Sequence, residues 1–455
     1  MVRSLSLLVP AAALLMGTAA FAGTITVGPT GSGASFDDIA DAIAAAQPGD
    51  VLLVASGQYV DATPLVVDKP LTILGAGSDT TSFQAVATSP FDKPLPLHVV
   101  GLQAGEEVRI AGLTLRSQTI GGFVASTFVV ENCVGPVVLS DISSGSILTV
   151  FDTAGLAQVR NSPQVLLDGC ELRVLGSSQT SPMTPALLVE NSEVHVNGTM
   201  LLGGSRGIML NQGTERDGAP GIRATDSVLR LSRSESLGGA GTFSSVFFTT
   251  DIPTEGGAGV EATSSFVFLR GGTGNLVAGG LGQSGFSGGV LTHGLGGAAV
   301  EADVFSLVTS TSDAQLVSGT DSTGVVTVPL VAGGAAYLGL PVPLATLEST
   351  DKLVAPGGTE RLELGGEPGG LFLTYFSVGQ GPAASAPPIH GLIMLDTQAA
   401  ISLATTTLDA AGASALSIPI PSLPTLVGLS VVAQGFSLGA SGEASFSSPT
   451  FVGIR

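Results

Sequence analysis

The sequence predicts an all-β protein: a solenoid of stacked coils through most of the chain, then a smaller β domain. Three observations predict this. An alternating apolar pattern returns six times between Thr127 and Val308. The 455 residues include 64 glycines and only 11% charged residues, which suits many strands and turns. After Leu344, seven short apolar runs separated by Pro and Gly suggest an antiparallel sandwich.

The repeat aligns on Asn132, Asn161, Asn191, Asp226, Ser264 and Val304, at spacings of 29, 30, 35, 38 and 40 residues. Four positions before the anchors stand Phe128, Ala157, Leu187, Ile222, Val260 and Val300. Two before them stand Val130, Val159, Val189, Ala224, Ala262 and Ala302. Both columns are apolar and the columns between are mixed, so each window reads as a strand with one buried face. A strand recurring at this period cannot bury its face alone and must stack on its neighbours. The first three anchors are Asn, which tolerates the left-handed conformation a corner needs. Stacking at ~4.8 Å predicts an amide ladder through Asn132, Asn161 and Asn191.

Residues 1–22 read as a secretory signal: Arg3, an apolar stretch from Leu5 to Met16, and small residues Ala20 and Ala22 at the cleavage site. No later run reaches the ~18 apolar residues of a membrane span. Ile25 to Val27 reads as a strand, followed by a helix from about Asp38 to Ala46 capped by Ser35 or Asp37. Val51 to Val54, Pro64 to Val67 and Leu71 to Leu74 read as the next strands, and Val108 to Leu115 as a further coil.

The runs Phe36 to Ile43, Gln47 to Asp50, Gly57 to Val60 and Lys69 to Gly75 together resemble the opening of the pectin-lyase-like family. The resemblance extends over about Gly23 to Thr327. It implies a right-handed parallel β-helix whose N-terminal helix caps the open end of the core. Enzymes and non-enzymes of that family share this opening, so the resemblance implies the fold and leaves activity open.

The repeat stops near Pro341. Residues 23–340 are therefore expected to form the β-helix and 344–455 a C-terminal antiparallel β domain. That last segment is also similar to the terminal β-modules of secreted bacterial surface proteins. Gly-rich stretches at Gly203 to Pro220 and Gly271 to Gly297 read as loops projecting from one side. Cys133 and Cys170 fall in different columns, so stacking does not bring them together, and buried free thiols are expected.

Acidic residues outnumber basic ones 36 to 16, a net charge of −20. That excludes a nucleic-acid footprint and disfavours an anionic polymer at long range. With no Trp and three Tyr, platforms for stacking sugar rings are scarce.

The enzyme types of the resembled family require clustered carboxylates with a basic residue. The partial matches are isolated: Asp37 and Asp38 at a helix start, His293 before Gly294, and Gly57 to Asp61 in the first coil. One outward column remains. Arg223, Glu261 and Glu301, with Asp303 nearby, could form a sugar-binding surface or hold Ca²⁺, which favours oxygen ligands. A plain cross-coil ion pair between Arg223 and Glu261 is the simpler reading. Glu131, Arg160 and Glu190 read as an alternating ladder that controls register.

The expectation is a secreted or cell-surface, non-catalytic β-helix protein, either a structural surface or matrix component or a weak binder of cell-surface or matrix polysaccharide, with no cofactor. The alternative is a polysaccharide lyase or glycoside hydrolase acting on acidic polysaccharide.

Overall fold

The computed structural model describes residues 23–455, apart from 90–93, 119–126, 148–155, 176–183, 205–216, 242–252, 272–274, 288–289, 327 and 342. The segment read as a signal lies outside the described residues. Among those described, one parallel sheet has nine strands and another has eighteen. The six aligned windows all fall in the nine-stranded sheet. Ala157 stands opposite both Phe128 and Leu187, and Val159 opposite both Val130 and Val189. The inward columns have no solvent exposure at Phe128, Val130, Val159 and Val189, and they share one continuous core.

Two left-handed corners turn each regular coil. The first uses the anchor residues: Asn132, Asn161, Asn191, Asp226 and Ser264 have φ between 47° and 55°. Asn161 Nδ2 donates to Asn132 Oδ1 and Asn191 Nδ2 to Asn161 Oδ1, each at 3.0 Å. Val304 is not among the left-handed residues. A β-branched side chain is strained in that conformation, so the last coil turns differently.

One place after each anchor runs a second ladder. Cys133, Ser162, Ser192, Ser227 and Ser265 each donate a backbone N–H to the hydroxyl of the serine one coil on, at 3.0–3.2 Å. The second corner uses Gly112, Asp141, Gly169, Gly198 and Arg233, also at positive φ. Cys133 and Cys170 are both buried and free.

The helix runs Ile39–Ala45, and its N-cap is Asp38 rather than Ser35 or Asp37: Asp38 Oδ1 accepts from Asp41 N–H at 3.0 Å. Ile39, Ala42 and Ile43 join the first coils in the core.

Most of the Gly-rich stretch Gly203 to Pro220 lies outside the described residues, whereas the stretch Gly271 to Gly297 contains strands where a loop was expected. Between Gly271 and Gly297 lie the strand Leu276–Ala278 and a hairpin of Ser284–Ser287 with Val290–His293. Segments leaving one coil interleave with segments entering the next. Gly239 N–H donates to Ala219 O, Gly257 to Gly239, Gly280 to Gly257, Gly297 to Gly280 and Gly319 to Gly297, all at 2.7–2.9 Å. The close approach demands glycine: a Cβ on Gly257 would stand 2.2 Å from Ala219 O, and one on Gly297 2.0 Å from Gly257 O. Gly257→Ala therefore overpacks a seam of rigid backbone and should cost about 3 kcal/mol or more. A denaturant midpoint equal to that of the parent would show that the seam is not packed this way.

The last strand of the stacked coils ends at Leu340, and from Thr346 onward the pairing is mainly antiparallel, apart from the parallel pair of Leu353–Val354 with Thr450–Ile454. One sheet joins Thr346–Ser349, Thr359–Gly365 and Ala413–Pro419. The other contains Leu371–Ser377, Ile401–Thr407, Ser430–Leu438 and Thr450–Ile454. The seven apolar runs, 359–364, 370–378, 391–395, 401–403, 415–420, 426–434 and one near Phe451, leave out the strands Thr346–Ser349, Leu353–Val354, Gln380–Ser385 and Ala444–Phe446. This region has its own core around Leu362, Leu364 and Phe372. It also lies against the outer face of the eighteen-stranded sheet, where Phe451 packs with Leu74, Ala111, Val138 and Leu166.

Candidate functional site

The outer face of the nine-stranded sheet carries the predicted residues. Arg223 on Ile222–Thr225 stands opposite Glu261 on Val260–Thr263, and Glu261 opposite Glu301 on Val300–Ala302. Arg223 Nε and Nη2 both donate to Glu261 Oε2, at 3.0 and 2.8 Å. The cross-coil pair is therefore formed. It is partly exposed, so it contributes only ~0–1 kcal/mol. Glu301 has no such cation. Loss of water around part of its carboxyl, then the negative charges of Glu261 and Glu255, push it above the usual carboxylate range.

Asp303 does not extend the column. It follows the strand and accepts from Ser306 Oγ at 2.6 Å and Ser264 N–H at 3.0 Å, which hold its carboxyl below the usual range. Those bonds bind it to the last corner. Among the described residues, no group of three or more His, Cys, Asp and Glu side chains is placed to hold a metal ion.

The neighbouring column holds Glu131, Arg160 and Glu190 in register. Arg160 Nε donates to Glu190 at 2.7 Å, whereas Glu131 meets His98 Nε2 at 2.8 Å.

The isolated motifs have local partners. Asp37 accepts from Thr30 Oγ1 at 2.9 Å, and Tyr59 OH donates to Ala55 O at 2.9 Å. His293 Nδ1 lies 2.8 Å from both Ser284 Oγ and Ser322 Oγ in the exposed hairpin. The charged run Glu215 to Asp217, which reads along the chain as a solvated turn, falls outside the described residues at Glu215 and Arg216, while Asp217 accepts from Glu255 N–H at 2.7 Å.

Sequence reasoning missed a second polar constellation, beneath the C-terminal segment. Asp168 is fully buried at the outward end of the strand Val165–Asp168. It accepts from Lys352 Nζ at 2.8 Å, Asn197 Nδ2 at 3.0 Å, Thr450 Oγ1 at 2.9 Å and Phe451 N–H at 2.7 Å. Nearby cations cross the same boundary in both directions. Arg109 Nη1 donates to Ser430 Oγ at 2.7 Å, and Arg233 reaches Glu348 at 2.6 Å and Glu363 at 2.7 Å. Arg270 donates to Phe446 O, and Arg455 to Leu74 O and Val54 O. The one available signal was Asp168 itself, a carboxylate in an otherwise apolar strand. The constellation joins two parts of the chain and contains no free acid or base.

The stacked parallel sheets make this a parallel β-helix protein. Neither a protein-family model nor a curated protein matches the sequence. Among solved structures it is similar to tailspike protein 2 of the Escherichia coli O157:H7 bacteriophage CAB120, at 11% identity and a TM-score of 0.20, over 88% of this chain and 60% of that one. It is also similar to the A-module of the mannuronan C-5 epimerase AlgE4 of Azotobacter vinelandii, at 12% identity and a TM-score of 0.22, over 66% of this chain and 90% of that one. This chain thus spans 60% of the tailspike's length. Neither likeness is close enough to assign an activity, and the fold rests on strand register.

Proposed function

We propose that the chain is a secreted or cell-surface β-helix protein without catalytic activity, a surface or matrix component that binds polysaccharide weakly. In this reading residues 1–22 direct export and the coils of 23–340 wind right-handedly, the hand that parallel crossovers favour. The helix Ile39–Ala45 caps the core, as the pectin-lyase-like resemblance implies. Residues 344–455 form a sandwich-like domain docked along its side. The binding surface is Arg223, Glu261, Glu301 and Asp303.

The observation that carries this reading is where the charged groups spend their hydrogen bonds. Arg223 is paired with Glu261, and Asp303 is tied to Ser264 and Ser306. Arg109, Arg233, Arg270, Lys352 and Arg455 hold the C-terminal segment. A lyase acting on an acidic glycan must neutralise a carboxylate and remove a proton beside it, and these cations are already engaged.

A second reading, a glycoside hydrolase, is favoured by one observation. Glu301 stands opposite Glu261 on the neighbouring strand, and loss of water with that neighbouring charge pushes it above the usual carboxylate range, the direction a general acid needs.

Incubating the mature chain with a panel of acidic glycans, with and without Ca²⁺, tests both. The variant changing Arg223, Glu261, Glu301 and Asp303 to Ala is the control. The expected result is no cleavage by the parent and weak binding that the variant loses. Cleavage that disappears in the variant would establish the hydrolase or lyase instead. Cleavage that persists would place an active site elsewhere and overturn the non-catalytic reading.

A further inference from the structure

The two C-terminal sheets leave a cleft of about 550 Å³ between them, a volume suited to one small molecule. Its walls come from the strands Thr359–Gly365 and Ala413–Pro419 on one side, and Ile401–Thr407, Ser430–Leu438 and Thr450–Ile454 on the other. Phe376, Leu403, Ile418, Val431 and Val452 are among the lining residues, and Leu423, at the mouth, is 52% exposed. Among the described residues, Glu360 and Ser377 are the only lining residues with polar side chains.

Glu360 stands out on its own strand. Glu360, Leu362 and Leu364 alternate as the buried face of Thr359–Gly365, so a carboxyl occupies a position that the pattern assigns to an apolar residue. It is 1% exposed. One of its oxygens, Oε1, accepts from Ser349 Oγ at 2.8 Å. The other, Oε2, is buried without a hydrogen-bond partner in the protein. Packing alone would be served better by a leucine or methionine, because an unmatched buried polar atom is unfavourable.

We propose that this cleft binds a free, single-chain neutral lipid, whose hydrocarbon lies against the apolar walls and whose one carbonyl or hydroxyl oxygen accepts a hydrogen bond from Glu360. The donor is available under ordinary conditions. Burial pushes the Glu360 carboxyl up to about 7, helped by the Asp351 charge and opposed by the Ser349 hydrogen bond, the Lys352 charge and, least, the Asp351 backbone N–H. Below that value the carboxyl carries a proton. An apolar chain satisfies the walls, and its one oxygen satisfies the one orphaned group. This site lies away from the nine-stranded sheet and does not depend on any polysaccharide affinity of that surface.

The test uses the full mature chain at pH 6 with the neutral fluorophore N-phenyl-1-naphthylamine, displaced in turn by methyl laurate and by dodecane. The expected result is enhanced fluorescence on mixing and displacement by the ester about tenfold more effective than by the alkane, the worth of one hydrogen bond. Glu360→Leu should bring the ester down to the alkane while leaving alkane displacement intact, which shows that the cleft is still folded. Glu360→Gln, which still donates a hydrogen bond, should keep the preference. Equal displacement by ester and alkane in the parent would overturn the proposal, as would a preference that survives Glu360→Leu. Absence of a fluorescence rise would also overturn it. So would binding seen only with phosphatidylcholine vesicles, which would make the apolar mouth a membrane contact, or only in a dimer, which would make it a self-association surface.

Discussion

Replacing Asp168 by Ala is expected to lower stability by about 3–5 kcal/mol, because it leaves the Lys352 ammonium buried without its counter-charge. Asp168 has no solvent exposure and Lys352 only 9%. The carboxylate also accepts from Asn197, Thr450 and the Phe451 N–H, so three further donors lose their acceptor. A guanidinium unfolding curve reads the loss directly. The paired replacement Asp168→Leu with Lys352→Met should recover much of it, since a well-packed apolar pair can match a buried ion pair. A single variant within 1 kcal/mol of the parent would mean that the C-terminal segment does not close over Asp168. The same experiment bears on domain independence. Residues 344–455 have their own core, yet in isolation they would expose Phe451 and strip Lys352 of its partner.

The second large effect is expected at Val189. Its side chain is fully buried between Val159 and Ala224 in successive coils. Val189→Asp puts an unpaired carboxylate into that column, with no cation in the core to meet it. The cost should exceed ~4 kcal/mol, enough to abolish secretion or cooperative melting. The conservative Val189→Ile should be tolerated far better, since only volume changes. A Val189→Asp protein that is exported and melts like the parent would refute the inward assignment of the whole column.

Much of the nine-stranded sheet was legible because each of its signals is local or one coil away. Alternation marks the inward side of each strand, and the Asn anchors mark its end. The serine ladder was not read, although Ser162, Ser192, Ser227 and Ser265 each follow an anchor, because a hydroxyl beside a turn reads as ordinary turn chemistry. The glycine seam was visible only as composition. Glycine permits both open loops and close backbone contact, and the neighbours decide between them. The candidate column was placed in register correctly for Arg223, Glu261 and Glu301. Asp303, expected beside Glu301, sits just past the strand end, where alternation no longer sets direction and Ser264 and Ser306 take up its carboxylate.

The sequence by itself determined the period of the coils, which side chains face the core, and the corner that Asn132, Asn161 and Asn191 turn. These follow from backbone sterics and from the need of each apolar strand face to find a neighbour. Only the tertiary structure decided what becomes of the outer face of the larger sheet. Asp168 looks, along the chain, like any outward polar residue. It is buried because Lys352, Thr450 and Phe451 arrive from beyond the last coil and replace water with fixed donors. An outward carboxylate is satisfied by water or by a distant part of the same chain, and the alternation of residues around it is the same in both cases.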